Sequence, residues 1–169
     1  MNRLIVIAFL FFGSITLSQA QVIVVGHIFA EVVENLTISE DAQLNFGRFA
    51  PMEAGGSVIV SPEGVRTSSG DVTLAPGNSN AGSFHVTGQK YAYFSLNLPS
   101  EQTIISNSGG SKTMLVKDWV CNTNGSVKYS LSENGTQQVT IGATLQVNSV
   151  HENPMGQYTG SYVIRFDYN

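Results

Sequence analysis

The sequence has 169 residues with 8 basic and 12 acidic side chains, so its formal net charge is −4 at pH 7. This negative charge disfavours nucleic acids and anionic membrane surfaces as partners. Charged residues make up only 12% of the chain, and many glycine and small polar residues separate the apolar runs, which is typical of an exported all-β protein with tight turns. The single cysteine, Cys121, excludes an internal disulfide, so the fold must depend on packing and strand pairing.

The first twenty residues have the pattern of a secretory signal. Arg3 precedes an apolar run over Leu4–Phe12, and Ser18-Gln19-Ala20 forms a small-x-small cleavage site. This order predicts a signal peptide over residues 1–20, with export to the periplasm, the cell surface or the extracellular space and no membrane insertion. Its removal would take away one basic residue and no acid, giving a charge of 7 − 12 = −5.

Residues 21–34 predict an extended N-terminal strand. β-branched residues dominate this stretch, and residues of even number form one apolar face, whereas the opposite face is mixed. The members of the apolar face are Val22, Val24, Gly26, Ile28 and Ala30. The rest of the chain, residues 35–169, is predicted to be one β-sandwich domain.

Between the two ends, short strand-like runs alternate with turn sequences. We expect a hairpin around Pro62-Glu63-Gly64, a second hairpin around Gly88 that joins residues 83–87 to 90–98, a turn at Asn124-Gly125, and a bulge at Gly142. Residues 50–56 are expected to be a loop. The spacing predicts an antiparallel β-sandwich with Greek-key connections.

The final stretch, residues 156–169, alternates almost without interruption. We predict a single half-buried strand here, with an apolar, aromatic face and a mostly polar face. The apolar face consists of Tyr158, Tyr162, Ile164, Phe166 and Tyr168. Such a strand has an apolar stripe and one edge that needs a partner.

Motifs for catalysis or metal binding are missing from the sequence. His27, His85 and His151 lie on separate segments with no metal-ligand spacing. The run Gly109–Thr113 lacks the glycines of a phosphate loop, and no nucleophile elbow occurs. We therefore expect no enzyme activity, no cofactor and no metal. Cys121 is interpreted as a small buried hydrophobic residue, with a reactive thiol or an intermolecular bridge as the alternative.

Five short motifs occur in an order that resembles a bacterial family known as domain of unknown function 4402. They are Leu44–Gly47, Gly56–Gly64, Ala81–Gly88, Ile141–Leu145 and Gly156–Tyr162. The alternating final strand and the alternating apolar N-terminal strand also resemble those of chaperone–usher pilins and secreted coat-type subunits, although such pilins often carry a disulfide that this chain cannot form. The resemblance implies an immunoglobulin-like (pilin-like) antiparallel β-sandwich that lacks its last strand and is completed by the N-terminal strand of the next subunit.

We therefore expect a secreted structural subunit of a bacterial surface filament or coat, with copies of itself or related subunits and a periplasmic chaperone as partners. Residues 22–30 would supply the donor face, and residues 158–168 would line the acceptor. The alternative is a self-complete adhesion or carbohydrate-binding module at the cell surface. In that case exposed aromatic residues, with Tyr91 and Tyr93 as the best candidates, would form the binding site.

Overall fold

The computed structural model describes residues 22–122 and 128–168 of the chain. The predicted signal peptide and the Asn124-Gly125 turn lie outside this part. The chain divides after Val32 into two units. Residues 22–32, the described part of the first unit, contain no strand, and their side chains are exposed. The predicted N-terminal strand is therefore not formed in the single chain, because a strand requires a hydrogen-bonded neighbour.

The second unit, residues 33–168, is all β in its described part. Its strands are β1 (Thr37–Ala42), β2 (Phe49–Val60), β3 (Arg66–Leu74), β4 (Gly82–Thr87), β5 (Tyr93–Asn97), β6 (Thr103–Asn107), β7 (Thr113–Cys121), β8 (Tyr129–Ser130), β9 (Thr136–Val147), β10 (Tyr158–Thr159) and β11 (Arg165–Tyr168).

The strands form a large curled sheet and a small second sheet, and every pairing is antiparallel. In the large sheet the order is β1-β4-β9-β7-β6-β10, and β2 joins β9 to β3. The long strand β9 is the centre, since β7 pairs with one edge while β4 and β2 share the other. The small sheet has the order β11-β5-β8. The predicted antiparallel β-sandwich is confirmed.

The core consists of two apolar clusters on the inner face of the large sheet. One is centred on Val58, Val116 and Leu145, and the other on Phe94, Leu131 and Ile141. In β9, alternate residues from Val139 to Val147 are buried, as expected for a strand with one face in the core. Trp119 packs against both clusters and so links them.

A bulge in β7 determines where Trp119 points. The pairing of β7 with β9 shifts register between Lys117 and Val120, and Asp118 takes a left-handed conformation with φ 52°. Aspartate tolerates this conformation better than most residues do. The extra residue exchanges the two faces of the strand, so Met114 and Val116 face the core before the bulge and Trp119 faces it afterwards. The predicted bulge at Gly142 is wrong, because the irregularity lies on the facing strand.

Two further expectations about strand pairing are corrected. The hairpin at Pro62–Gly64 is confirmed, since Val60 pairs with Arg66, but the hairpin around Gly88 is wrong. Strand β4 belongs to the large sheet and β5 to the small one, so this connection crosses between layers. The predicted loop over residues 50–56 is part of β2, which has a register shift between Pro51 and Gly56. The inward face of β5 follows the alternation of its sequence, because Phe94 is buried and Leu96 packs against the same core cluster.

Candidate functional site

The C-terminal segment, residues 158–168, forms one wall of a large opening in the sandwich. Its predicted alternation is confirmed, because Tyr158, Tyr162, Ile164 and Phe166 are partly buried while the residues between them are exposed. The single predicted strand is wrong. Strand β10 pairs with β6 in the large sheet and β11 pairs with β5 in the small sheet. Residues 160–164, which cross between the sheets, pair with no strand in the described part of the chain.

The opening, which we call the C-terminal groove, lies between this segment and β1. It has a volume of about 1300 Å³. Ile38, Glu40 and Leu44 contribute from the side of β1, and Phe84 of the neighbouring β4 also lines it. The Phe84 and Phe166 rings approach to 6.2 Å between centroids. The groove is therefore lined by aliphatic and aromatic side chains from both sheets, together with neutral polar residues that include Asn45, Asn80 and Gln157.

The two walls run in opposite directions and meet at one end. Tyr162 and Leu44 both adjoin Gly82 at one level of the groove. At the far end the Tyr168 hydroxyl donates to the carbonyl oxygen of Glu34 at 2.9 Å and accepts from the amide of Gln89 at 3.0 Å. Tyr168 therefore links the segment before β1 to the C-terminal segment and closes this end of the groove.

Both walls carry unpaired strand edges. Within the described chain, β1 pairs only with β4 and β11 pairs only with β5. Exposed strand edges present rows of backbone donors and acceptors that can bind another extended chain. At about 3.3 Å per residue, residues 160–166 give the groove a length of roughly 23 Å. The geometry suits one extended strand of about seven residues.

A second opening, which we call the inner cavity, continues from the groove past Tyr162 into the core. Its volume is about 960 Å³. Phe46, Phe49, Trp119 and Tyr158 are among the aromatic residues that line it. The Trp119 and Tyr162 rings are in contact, with centroids 4.6 Å apart and an interplanar angle of 36°. The gap in the sandwich thus extends from the surface groove to the first core cluster.

Few charges lie in the groove. Glu40 and Arg165 are the charged residues of its lining. Burial of the Tyr162 phenol, and to a lesser extent the negative charge of Glu40, raise its pKa from 10.0 to about 12. Tyr162 is therefore a neutral hydrogen-bond donor at physiological pH. The groove favours an uncharged, apolar strand over a strongly charged one.

The predicted acceptor residues come together, and the donor residues are exposed. Tyr158, Tyr162, Ile164 and Phe166 line the groove, while Tyr168 closes its end. The exposed fractions of Val22, Val24 and Ile28 are 86%, 83% and 99%. Sequence reasoning missed the opposite wall and the contribution of Trp119. The alternation of Ile38 and Glu40 in β1 could have predicted that wall. The orientation of Trp119 could not be predicted from alternation, because the bulge at Asp118 exchanges the faces of β7.

Other kinds of site receive little support from the described residues. No group of three or more His, Cys, Asp or Glu side chains within them could hold a metal ion. Within the same residues, no helix is long and apolar enough to span a membrane. Cys121 is partly buried, packs against the second core cluster, and its sulfur accepts a hydrogen bond from the Tyr129 hydroxyl at 2.9 Å. Its environment agrees with the interpretation as a buried apolar residue.

The fold and the groove define a β-sandwich protein with an open, apolar strand edge. The model of the family described as domain of unknown function (DUF4402) matches residues 36–168, so the chain belongs to this family. No curated protein matches the chain. No solved structure matches it either.

Proposed function

We propose that the protein is a secreted structural subunit of a bacterial surface filament or coat, and that it assembles by β-strand addition. The observation that carries the proposal is the C-terminal groove, which lies between two unpaired strand edges and has few charges but several aliphatic and aromatic side chains in its lining. In the assembly, residues 22–30 of one copy, or of a related subunit, occupy the groove of the next. Backbone hydrogen bonds provide affinity, and alternate side chains fill the apolar lining.

The N-terminal segment has the properties of the proposed donor. Val22, Val24 and Ile28 share one face with Gly26 and Ala30, and all are exposed in the single chain. Exposed β-branched residues in such number are unusual for a monomer and mark an interaction site. Nine residues of extended chain span about 30 Å, which is enough to cross the groove.

The resemblance to chaperone–usher pilins supports the same function. It adds a periplasmic chaperone as the expected partner that covers the groove before assembly, and the predicted signal peptide provides export. Because the chain has one cysteine, its stability cannot rest on the disulfide of many pilins. Strand addition would then supply stability that the open sandwich lacks. The proposal includes no enzyme activity and no cofactor.

Size-exclusion chromatography with light scattering on residues 21–169 tests the proposal. We expect concentration-dependent oligomers from the unaltered chain and monomers from the double variant Val24→Asp/Ile28→Asp, because two carboxylates would enter an apolar groove. The matched control is Ile23→Asp/Val25→Asp, which places the same charges on the opposite face and should still form oligomers. Monomers from all three proteins would refute strand addition.

The alternative function is that of a self-complete carbohydrate-binding or adhesion module. Tyr91 and Tyr93 are 63% and 55% exposed, as predicted. Tyr91 precedes β5 in a turn with φ 61°. Tyr93 lies on the outer face of β5, where the Asn97 side-chain amide also donates to the Asp167 carboxylate at 3.0 Å. Aromatic rings beside amide and carboxylate groups suit sugar binding. Glycan binding that is lost in Tyr91→Ala and Tyr93→Ala variants, together with a monomeric chain, would favour this alternative.

A further inference from the structure

Two buried polar atoms at the junction of the groove and the inner cavity have no hydrogen-bond partner. They are the Tyr162 hydroxyl and the Trp119 indole nitrogen, Nε1, the two such side-chain atoms identified in the described residues. The hydroxyls of two other tyrosines in the C-terminal segment do have partners. The Tyr158 hydroxyl donates to the Pro154 carbonyl at 3.0 Å, and the Tyr168 hydroxyl donates to the Glu34 carbonyl. A buried donor without a partner is costly, so native proteins rarely keep one.

The two atoms belong to one contact. The Tyr162 and Trp119 rings pack together, and both side chains line the inner cavity, while Tyr162 also lines the groove. The indole N–H can only donate, and the neutral phenol has a proton to donate. The described residues supply no acceptor to either atom, and a strand that enters the groove and the inner cavity could supply both.

We propose that Tyr162 and Trp119 are the polar recognition point of the acceptor site and that they bind backbone carbonyl oxygens of the incoming strand from a second copy. This inference rests on the proposed strand addition. The donor face, residues 22–30 of even number, carries no polar side chain. The hydrogen-bond acceptors that this face can offer to Tyr162 and Trp119 are therefore its main-chain carbonyl oxygens. The Tyr162 hydroxyl then adds a hydrogen bond to the affinity that the shape of the groove provides.

Titration of residues 21–169, held at a dilute concentration, with a synthetic peptide of residues 22–34 tests the inference. We expect Tyr162→Phe to weaken peptide binding about tenfold, which is the effect of one desolvated hydrogen bond. The thermal midpoint of the free variant should be unchanged or higher, because the substitution removes an unsatisfied group. The control Tyr93→Phe, on the exposed outer face, should bind the peptide with unchanged affinity.

A second measurement on the unaltered chain does not depend on the variant folding. Trp119 is the single tryptophan, so it gives one indole N–H resonance, which should move downfield and exchange more slowly with solvent when the peptide binds. Equal affinity of the unaltered and Tyr162→Phe chains, or an unchanged indole resonance at saturation, would overturn the inference and leave strand addition standing. Absence of any peptide binding to the unaltered chain would refute the proposed function and the inference together.

Discussion

The closure of the groove by Tyr168 predicts a measurable loss of stability in Tyr168→Phe. The substitution removes a hydroxyl that makes two hydrogen bonds, to Glu34 and from Gln89. Each such bond contributes about 0.5–1.5 kcal/mol. Because Tyr168 is 37% exposed, water can replace part of this interaction, and we take the low end of the range for each bond. The expected loss is about 1 kcal/mol of unfolding free energy.

Gly88 provides a double-mutant cycle for the same contact. A methyl group at Gly88 would clash with the Tyr168 hydroxyl oxygen and would lie 3.1 Å from Leu131 Cδ1 and 3.3 Å from Leu36 Cδ1, so Gly88→Ala must displace the hydroxyl and break its hydrogen bonds. We expect Gly88→Ala to cost about 1 kcal/mol in the unaltered chain. In Tyr168→Phe the nearest of these three atoms is missing, so the cost of Gly88→Ala should be smaller than in the unaltered chain, and the lower entropy that alanine gives the unfolded chain offsets part of what the two leucine contacts cost. The two effects should therefore not add.

Urea unfolding followed by the fluorescence of Trp119, the single tryptophan, measures all four proteins of the cycle. The control is Tyr93→Phe, whose ring is exposed on the outer face of β5 and which should change stability by less than about 0.3 kcal/mol. Additive effects of Gly88→Ala and Tyr168→Phe, or no loss in either single variant, would refute the closure of the groove by Tyr168.

Two further predictions concern the core and the pH dependence. Phe94→Ala should lower the unfolding free energy by about 3–5 kcal/mol in urea unfolding, because this buried ring stacks on Tyr129 with centroids 5.0 Å apart. The control Tyr93→Ala, on the outer face, should cost less than about 1 kcal/mol. Similar losses in the two variants would contradict the assigned faces of β5. The raised pKa of Tyr162, about 12, means that the native state keeps a proton that the unfolded chain releases near pH 10, so stability should fall as the pH rises between these values. Unfolding as a function of pH should show a smaller alkaline loss in Tyr162→Phe, and an identical loss would be inconsistent with the burial of this phenol.

Alternation in the sequence predicted the faces of the strands well. The inward residues of β5 and of the C-terminal segment follow directly from their period of two. Alternation does not specify which strand is the neighbour, however, because any antiparallel partner satisfies the same pattern. The division of the C-terminal segment between two sheets, and the passage from β4 to β5 across the layers, were therefore not predictable from local residues.

Only part of the candidate site could be predicted, because alternation identifies the faces of a strand but not its neighbours. Its C-terminal wall was identified from Tyr158 to Phe166, whereas its other wall depends on the tertiary placement of β1. The part played by Trp119 depends on the left-handed conformation of Asp118, and only a weak preference of aspartate for such a conformation is visible in the sequence. Residues 22–32 are a further case, because their alternation predicts a strand but supplies no neighbouring strand, and they pair with none in the described chain.

Hydrogen–deuterium exchange of residues 21–169, with and without the peptide of residues 22–34, tests the central claim most directly. Residues 160–164 pair with no strand in the described chain, so their amides should exchange quickly in the free protein. If the peptide adds a strand to the groove, exchange should slow in residues 160–166 and in Thr37–Ala42 of β1, while the outer edge of β3 is unaffected. Unchanged exchange in both walls at saturating peptide would contradict strand addition.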